Sequence, residues 1–519
     1  MALVPTVVLG VLGQQTDEPR SLVPTPDVAW SALAPLLVLV GGALVLLLVE
    51  ALLRRRPPAG THAVLTVVIA LGAVAAAVPL WVRVQDADRG PFSTVAGAVG
   101  IDGFSVFATF AICAGVVLTA LLLDGFLRRE DLDGVEPYVL VLLSASGGLM
   151  MASANDLIVL FLGLEVLSLA VYVLAAMHLR KATSQEAGVK YFVLGAFASA
   201  FFLYGIALVY GATGTTSLVE IADLFATTVL PDDGLLLAGL GLLIVGLAFK
   251  VAAVPFHFWT PDVYQGAPSA TVAFMASGVK VAGFAGMLRV LFLAFSAYRV
   301  DWQPLIYGVA VATLVVGAVL AVVQTDVKRM LAYSSINHAG FVLVAVQAGS
   351  TQGVRAALFY LGAYTFMVAG SFGVVTVVGR RGDVGQSLED YRGLSKARPG
   401  LALVFALLLF AQAGVPLTSG FFAKFYVVTA AVDAGSAPLA VVAMLTAVVS
   451  AFLYLRIVVA MYMDDAPEEA GSRRIAIPVG ARVALGIALV VTIGVGLWPG
   501  AIAGLAEDAT PALVVDPSG

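Results

Sequence analysis

The stretch FKVAAVPFHFWTPDVYQGAPS, Phe249 to Ser269, follows an apolar run long enough to cross a bilayer. It places Lys250 inside that run and then sets Pro255, Pro261 and Pro268 in quick succession. An ammonium group at the centre of a membrane helix costs about 2.5–3.5 kcal/mol on insertion scales, so it turns toward protein or water and away from lipid. Proline removes an intrahelical hydrogen bond, and the freed backbone groups persist at that depth only where they line a protein-buried or watered cavity. The stretch therefore reads as a broken membrane helix, hydrated at its kink, beside a titratable lysine.

The rest of the chain supports that reading. Its 519 residues are 61% apolar and 12% charged, against about 45–50% and about 25% for soluble domains, so the fold class is an all-α integral membrane protein. With about 20 apolar residues per crossing, fourteen candidate helices centre near Val40, Val74, Gly115, Leu143, Leu164, Ala198, Gly246, Gly283, Thr313, Ala339, Val368, Val415, Val449 and Leu489. Assigning alternate loops to two sides gathers sixteen Lys and Arg, from Arg54 to Arg474, on one side. Only Arg20, Arg83, Arg89, Arg299 and Arg355 fall on the other. The positive-inside rule makes the first side cytoplasmic and leaves both termini outside. The N-terminal MALVPTVVLGVLGQQ has no basic region before its apolar run and reads as a surface-lying segment, not a cleaved signal.

Composition also excludes functions. The net charge of −5 forms no basic stripe, so nucleic acid is not a partner. Cys113 is the lone cysteine, and four scattered histidines suggest no haem pair; a redox cofactor belongs on another subunit and no metal site is expected.

Four lysines at depth, Lys190, Lys250, Lys280 and Lys424, are the candidates for chemistry. Away from water the charged amine is disfavoured, and a carboxylate nearby restores it, so a lysine with a movable acid partner is a proton switch. Glu165, nine residues past Asp156 and therefore roughly 13 Å along its helix, is the one carboxylate deep in a span, and we pair it with Lys250. Ser168 and Tyr172 share its face at i+3 and i+7. Lys280 sits among Ala, Gly and Ser, which leave room for close packing and water. His338, with Ser334 one turn back, can relay protons. Lys190 lies one turn from Glu186, where an ordinary surface pair competes with a functional reading. Arg289, about two turns from an outer end, is open between the two. Lys424 follows the Pro416 break, as Lys250 precedes the Pro255 break, and His257 lies within the first break. AAVPFHFW and AGVPLTSGFF, and NDLIVLF and TDVKRML, mark corresponding places five spans apart, and an odd offset implies inverted repeats.

KVAAVPFHFWTPDVYQGAPS, EAGVKYFVLGAFASAFFLYGIALVYGATG from Glu186 and QTDVKRMLAYSSINHAGF from Gln324 together resemble the proton-translocating antiporter-like membrane subunits of respiratory complex I over about residues 140–460. The KYFVLGAFASAFFLYG phrase and an end at the fourteenth helix resemble the N-type members. Lys424 argues against the member with Glu in the second broken helix. The resemblance implies 14 transmembrane helices with two inverted five-helix repeats, helices 4–8 and 9–13, helices 7 and 12 being broken. The implied division is residues 1–29 as an extracytoplasmic segment, 30–135 as helices 1–3, 136–298 and 299–463 as the repeats, and 464–519 as helix 14 and a tail. It further implies Glu165 and Lys250 as a coupling pair, Lys280 as central connector, His338 as bridge and Lys424 as terminal proton carrier, and it favours a functional Lys190. No flavin, cluster or haem is expected on this chain, and its partners would be other membrane-arm subunits, neighbouring antiporter-like ones included. A subunit of a multisubunit Na+/H+ antiporter is the alternative, and a scaffold with a polar interior the third reading.

Overall fold

A computed structural model describes residues 28–52, 58–132, 134–228, 232–465 and 475–510. Most of the N-terminal segment, Arg54 to Arg56, and Arg473 and Arg474 lie outside the described residues. The regular structure of the described residues is helical, apart from one small hairpin.

It opens with α1 (Ala34–Leu52) and α2 (Thr61–Gln85), then the antiparallel hairpin of β1 (Phe92–Thr94) and β2 (Val99–Ile101), then α3 (Gly103–Glu130). The first long series is α4 (Glu136–Ser153), α5 (Leu157–Ala176), α6 (Ala182–Thr213), the short α7 (Leu218–Thr227), α8 (Gly234–Val251), α9 (Trp259–Gly266), α10 (Ser269–Ala276) and α11 (Gly278–Leu288). The last runs on into a π-helical turn, Arg289–Ala294. The second series is α12 (Arg299–Val322), α13 (Val327–Gln347), α14 (Thr351–Val378), α15 (Leu394–Ala397), α16 (Pro399–Ala413), α17 (Ser419–Asp433) and α18 (Ala437–Tyr462), followed by α19 (Val479–Leu497) and α20 (Gly500–Asp508).

Among the described residues, eleven helices are long and apolar enough to cross a membrane. Three of the fourteen centres fall elsewhere: Leu143 in α4, 18 residues long with Glu136 and Pro137 in its first turn; Ala339 in α13, which carries Lys328, Arg329, Asn337 and His338; and Val415 in the gap between α16 and α17. Charge, polarity and a break, and not a shortage of helix, set them apart. The spans Ser269–Ala294 and Thr351–Val378 are almost wholly buried and form the centre of the molecule, whereas Ala34–Leu52 is mostly exposed and lies at its edge.

Local chemistry fixes the helix starts. Asp102 and Ser105 make a reciprocal capping box at α3. Asp156 caps α5, accepting from the backbone N–H of Ile158 at 2.7 Å, and Asp326 caps α13, accepting from that of Arg329 at 2.9 Å. These two caps anchor matching joints. Leu157 N–H donates to the Thr216 carbonyl and Leu218 N–H to that of Asn155; in the second series Val327 N–H donates to Gln386 and Leu388 N–H to Thr325. Asp156 thus bridges Ser217 as Asp326 bridges Ser387, with the same sequence separation in both.

Candidate functional site

The first break begins where α8 ends. Ala252 adopts a left-handed conformation, φ 63°, and its N–H and that of Ala253 close back on Phe249 and Ala248. Pro255 supplies no N–H, and the freed N–H of Val254 donates to Thr313 Oγ1 at 2.9 Å. The Phe249 carbonyl, released from the helical ladder, accepts the Trp259 indole N–H at 3.0 Å. Lys250 is therefore left to reach sideways, and its Nζ donates to Ser168 Oγ on α5 at 2.8 Å. Its ammonium lies 5.7 Å from the Tyr191 ring and 6.0 Å from that of Tyr172, within cation–π range. The lysine stem packs against Gly283 of α11, where an added Cβ would come within 3.3 Å of the Lys250 Cγ.

Glu165 and Lys250 do not meet. The Glu165 carboxylate accepts a short hydrogen bond from Ser199 of α6, and no ion pair joins it to any cation among the described residues. Beside Lys250 is a cavity of about 10 Å³, lined by Ser168, Tyr172, Ser199 and Lys250, about the room one water needs. The direct pairing read from sequence is corrected to two groups, each on a serine, the two serines lining one gap. The reason is helix placement: Ser168, one turn beyond Glu165 on the same face, is the group that α8 presents Lys250 to.

Lys280, on α11, donates to both the carbonyl and the hydroxyl of Ser335 on α13, at 2.7 and 2.6 Å. Its Nζ lies 6.0 Å from the Tyr364 ring, which packs 4.6 Å from the His338 ring on its other side. His338 Nδ1 meets Tyr360 Oη at 2.6 Å and Nε2 meets Tyr454 Oη at 3.1 Å, so one ring nitrogen donates and the other accepts when the imidazole is neutral. Tyr454 Oη continues to Ser334 Oγ at 2.6 Å, and that hydroxyl donates to the Gln412 side chain at 3.4 Å. Gln412 is the last stop before the second break. Lys424 Nζ donates to the backbone carbonyls of Gln412 and Ala413, at 2.9 and 2.8 Å, the acceptors freed where α16 stops. Gly414, at φ 93°, makes that stop possible, and a Cβ there would crowd the Lys424 Cδ at 3.0 Å.

Buried lysine, serine, histidine, tyrosine and glutamine thus line up through α11, α13, α14, α18 and the second break in two hydrogen-bonded groups, Lys280 with Ser335 and Tyr360–His338–Tyr454–Ser334–Gln412, with the Tyr364 ring near both Lys280 and His338 and with Lys424 on the Gln412 backbone carbonyl. This line cannot bind a divalent metal well, being short of carboxylates, and no cluster of three or more His, Cys, Asp or Glu occurs among the described residues. Its hydroxyls and neutral imidazole can each accept and donate a hydrogen bond, the chemistry that a proton relay needs.

The family model "NADH:quinone oxidoreductase/Mrp antiporter, TM" matches residues 154–450, a span that contains both breaks. The chain belongs to that family. It is 43% identical over 410 residues to a protein named NADH-quinone oxidoreductase subunit N from Trichlorobacter lovleyi, covering 79% of this chain and 83% of that one. To a protein of the same name from Acidothermus cellulolyticus it is 42% identical over 522 residues, 95% and 98% of the two chains. A chain in the structure of respiratory complex I from Thermus thermophilus with bound aureothin superposes with a TM-score of 0.77 at 35% identity, over 91% of this chain and 99% of that one.

Within this family frame the remaining sequence-predicted residues divide. Lys190 lies apart from the line, half-exposed at the face that bears the basic loops, paired with Glu186 at 2.8 Å and with Asp262 of α9 at 2.9 Å. His257 sits half-buried in the first break, its Nδ1 without a partner. Tyr172 lines the small cavity beside Lys250. Pro255 and Pro416 stand in the two breaks, both exposed on the outside of the chain. Arg289, left open by its place in the sequence, is buried and bonds Asp102 at 2.7 Å and Asn155 at 2.9 Å.

Lys328 is the largest departure. Read as a solvent-facing loop cation, it is fully buried, and its Nζ donates to the Ala267 carbonyl at 2.6 Å and the Asp383 carboxylate at 2.9 Å. Sequence reading also missed Tyr360, Tyr454 and Gln412. Tyr360 and Tyr364 at i,i+4 in α14 were a signal, since two hydroxyls on one face of an otherwise apolar span need partners.

Proposed function

We propose that this chain is the N-type antiporter-like subunit of the membrane arm of a proton-translocating NADH:quinone oxidoreductase. The observation that carries the proposal is the buried array of Lys280 on Ser335, the His338–Tyr454–Ser334–Gln412 hydrogen-bond chain, and Lys424 on the Gln412 backbone carbonyl. Quinone reduction in partner subunits would shift Glu165. As the carboxylate moves away from the gap, the Lys250 ammonium loses its only nearby acid and gives up a proton toward Lys280; approach of the carboxylate reloads it. Protons then pass through His338 to Lys424 and out, against about 2.3 kcal/mol per charge per 100 mV.

The same reading takes α4, α13 and the α16–α17 pair as crossings in addition to the eleven apolar spans, giving fourteen. It takes residues 136–298 and 299–463 as inverted repeats of five helices each, supported by the matching Asp156 and Asp326 joints. The basic loop face would be cytoplasmic, with both termini opposite, in a bacterial cell membrane. Flavin, clusters and quinone would belong to partners, consistent with a single cysteine in the chain. Partner subunits would also account for the breaks: Phe258 is 54% exposed and Leu417 66%, and irregular backbone at membrane depth is tolerated under protein or against a watered cavity, not against lipid.

Purification in mild detergent is the test. The chain is expected to emerge with NADH-oxidising, cluster-bearing subunits, and the reconstituted assembly to acidify one side of a vesicle when NADH is supplied, without sodium. A sodium requirement, or purification with transport subunits only, would favour the antiporter reading.

A further inference from the structure

At the basic loop face, residues 379–386 form a tight turn that tucks Asp383 inward. Arg380 and Val384 bridge across it, Gly382 and Gly385 take positive φ, and Asp383 itself stands at φ 49°. The Asp383 carboxylate is 1% exposed and is held from three elements: Lys328 of α13 at 2.9 Å, Ser269 of α10 at 2.8 Å, and Lys181 before α6 at 3.8 Å. Arg129 reaches it at 3.8 Å, and Arg129 also binds Glu130, which meets His178 at 3.2 Å. Burial opposes its ionisation, but Lys328 and Lys181 outweigh that and hold the carboxyl below the usual carboxylate range. This is a buried titratable cluster that the line described above does not use.

Two features distinguish it from a structural clamp. A cavity of about 360 Å³, lined by Lys181, Glu186, Lys190, Asp262, Asp326 and Asp383 among others, reaches it from outside. Its inner side faces the midplane line: Lys328 and Ser335 lie two turns apart on one face of α13, and Ser335 holds Lys280. The Tyr264 hydroxyl also lies close to Ser335, three residues before the Ala267 carbonyl that Lys328 binds. The buried pair at the opposite end, Asp102 and Arg289, is built on a guanidinium that does not deprotonate in proteins.

We propose that the turn at residues 379–386 closes the proton inlet of this chain, with Asp383 as its gate and Lys328 as the relay to Lys280; this rests on the proton-pumping reading. A proton from water in the outer cavity neutralises the Asp383 carboxylate and breaks its pair with Lys328. The unpaired ammonium releases its proton inward through intervening water and the Tyr264 and Ser335 hydroxyls, each accepting one proton and giving one up, to a neutral Lys280 amine. Asp383 then passes its proton to the Lys328 amine and the pair re-forms. One proton moves from cavity water to Lys280 Nζ, and no electron moves.

Lys328→Arg in the intact complex is the test, because arginine keeps the buried positive charge and the ion pair but cannot hand a proton on. The measurement is the proton-to-electron ratio in vesicles driven by NADH, compared with Lys280→Met. Lys328→Arg is expected to assemble, to keep NADH oxidation, and to lower the ratio as far as Lys280→Met does. As a second arm, Thr183→Cys, at the cavity wall, is expected to lose the same share when a bulky, membrane-impermeant thiol reagent is added to the loop side, with the buried Cys113 of the parent chain as control. Full pumping by Lys328→Arg, or by the labelled Thr183→Cys, would overturn the inlet while leaving the midplane line in place. Full pumping by Lys280→Met would instead overturn the pumping reading, and the inlet with it.

Discussion

The two helix breaks solve one problem in opposite ways. Each frees backbone carbonyls at membrane depth beside a buried lysine. In the first, the Trp259 indole takes the Phe249 carbonyl, and Lys250 is released to a serine hydroxyl one turn from a carboxylate. In the second no indole is present, and Lys424 itself takes the carbonyls of Gln412 and Ala413. A lysine on a hydroxyl beside a movable acid can be switched by that acid. A lysine on fixed carbonyl dipoles has no such switch and responds to the protons that reach it. The first break is therefore suited to start a transfer and the second to end one.

Replacing the amines tests this most strongly. Lys250→Met and Lys424→Met are each expected to slow transfer through the chain by about 10²-fold or more, the worth of a positioned proton-transfer group, read as a lost share of the proton-to-electron ratio with assembly intact. The two should part on Glu165→Gln: it is expected to abolish the response of pumping to quinone reduction through Lys250, while leaving proton exchange at Lys424, followed by its pH titration, unchanged. Trp259→Phe attacks the difference directly. With one of its two hydrogen bonds removed, worth about 0.5–1.5 kcal/mol, the Phe249 carbonyl keeps only the Ala252 N–H, and Lys250 is expected to turn to it and pumping to fall up to roughly tenfold without loss of NADH oxidation. Tyr454→Phe removes one hydrogen-bonded step between His338 and Ser334, worth about 0.5–1.5 kcal/mol, and is expected to slow transfer severalfold. Thr313→Val, which removes the partner of the Val254 N–H, is expected to lower thermal stability of the assembly with the smallest effect on pumping.

Much of this was legible in the sequence because membrane crossings obey simple rules. Apolar length located eleven of the spans, the Pro255 and Pro416 motifs located the breaks, and depth along a helix singled out Glu165, Lys250, Lys280, His338 and Lys424. Depth does not say which side chain a group meets. Ser168 in place of Glu165 as the contact of Lys250 depends on how α8 lies across α5, and no spacing within one helix records that. Loop assignment failed at Lys328 for a related reason: its place just after the Asp326 cap reads as a helix end in solvent, but the turn at Asp383 folds over it. The motif GRRGDVGQS, an acid among glycines, was the available sign of a tight turn carrying a carboxylate inward.

On the proposed route, proton movement through Lys280 is the step on which both breaks depend. Lys280→Met in the reconstituted complex, with proton uptake and NADH oxidation recorded in the same vesicles, measures it. A reduced proton-to-electron ratio at an unaltered rate of NADH oxidation is the expected result. An unaltered ratio would mean that protons do not travel through these buried amines.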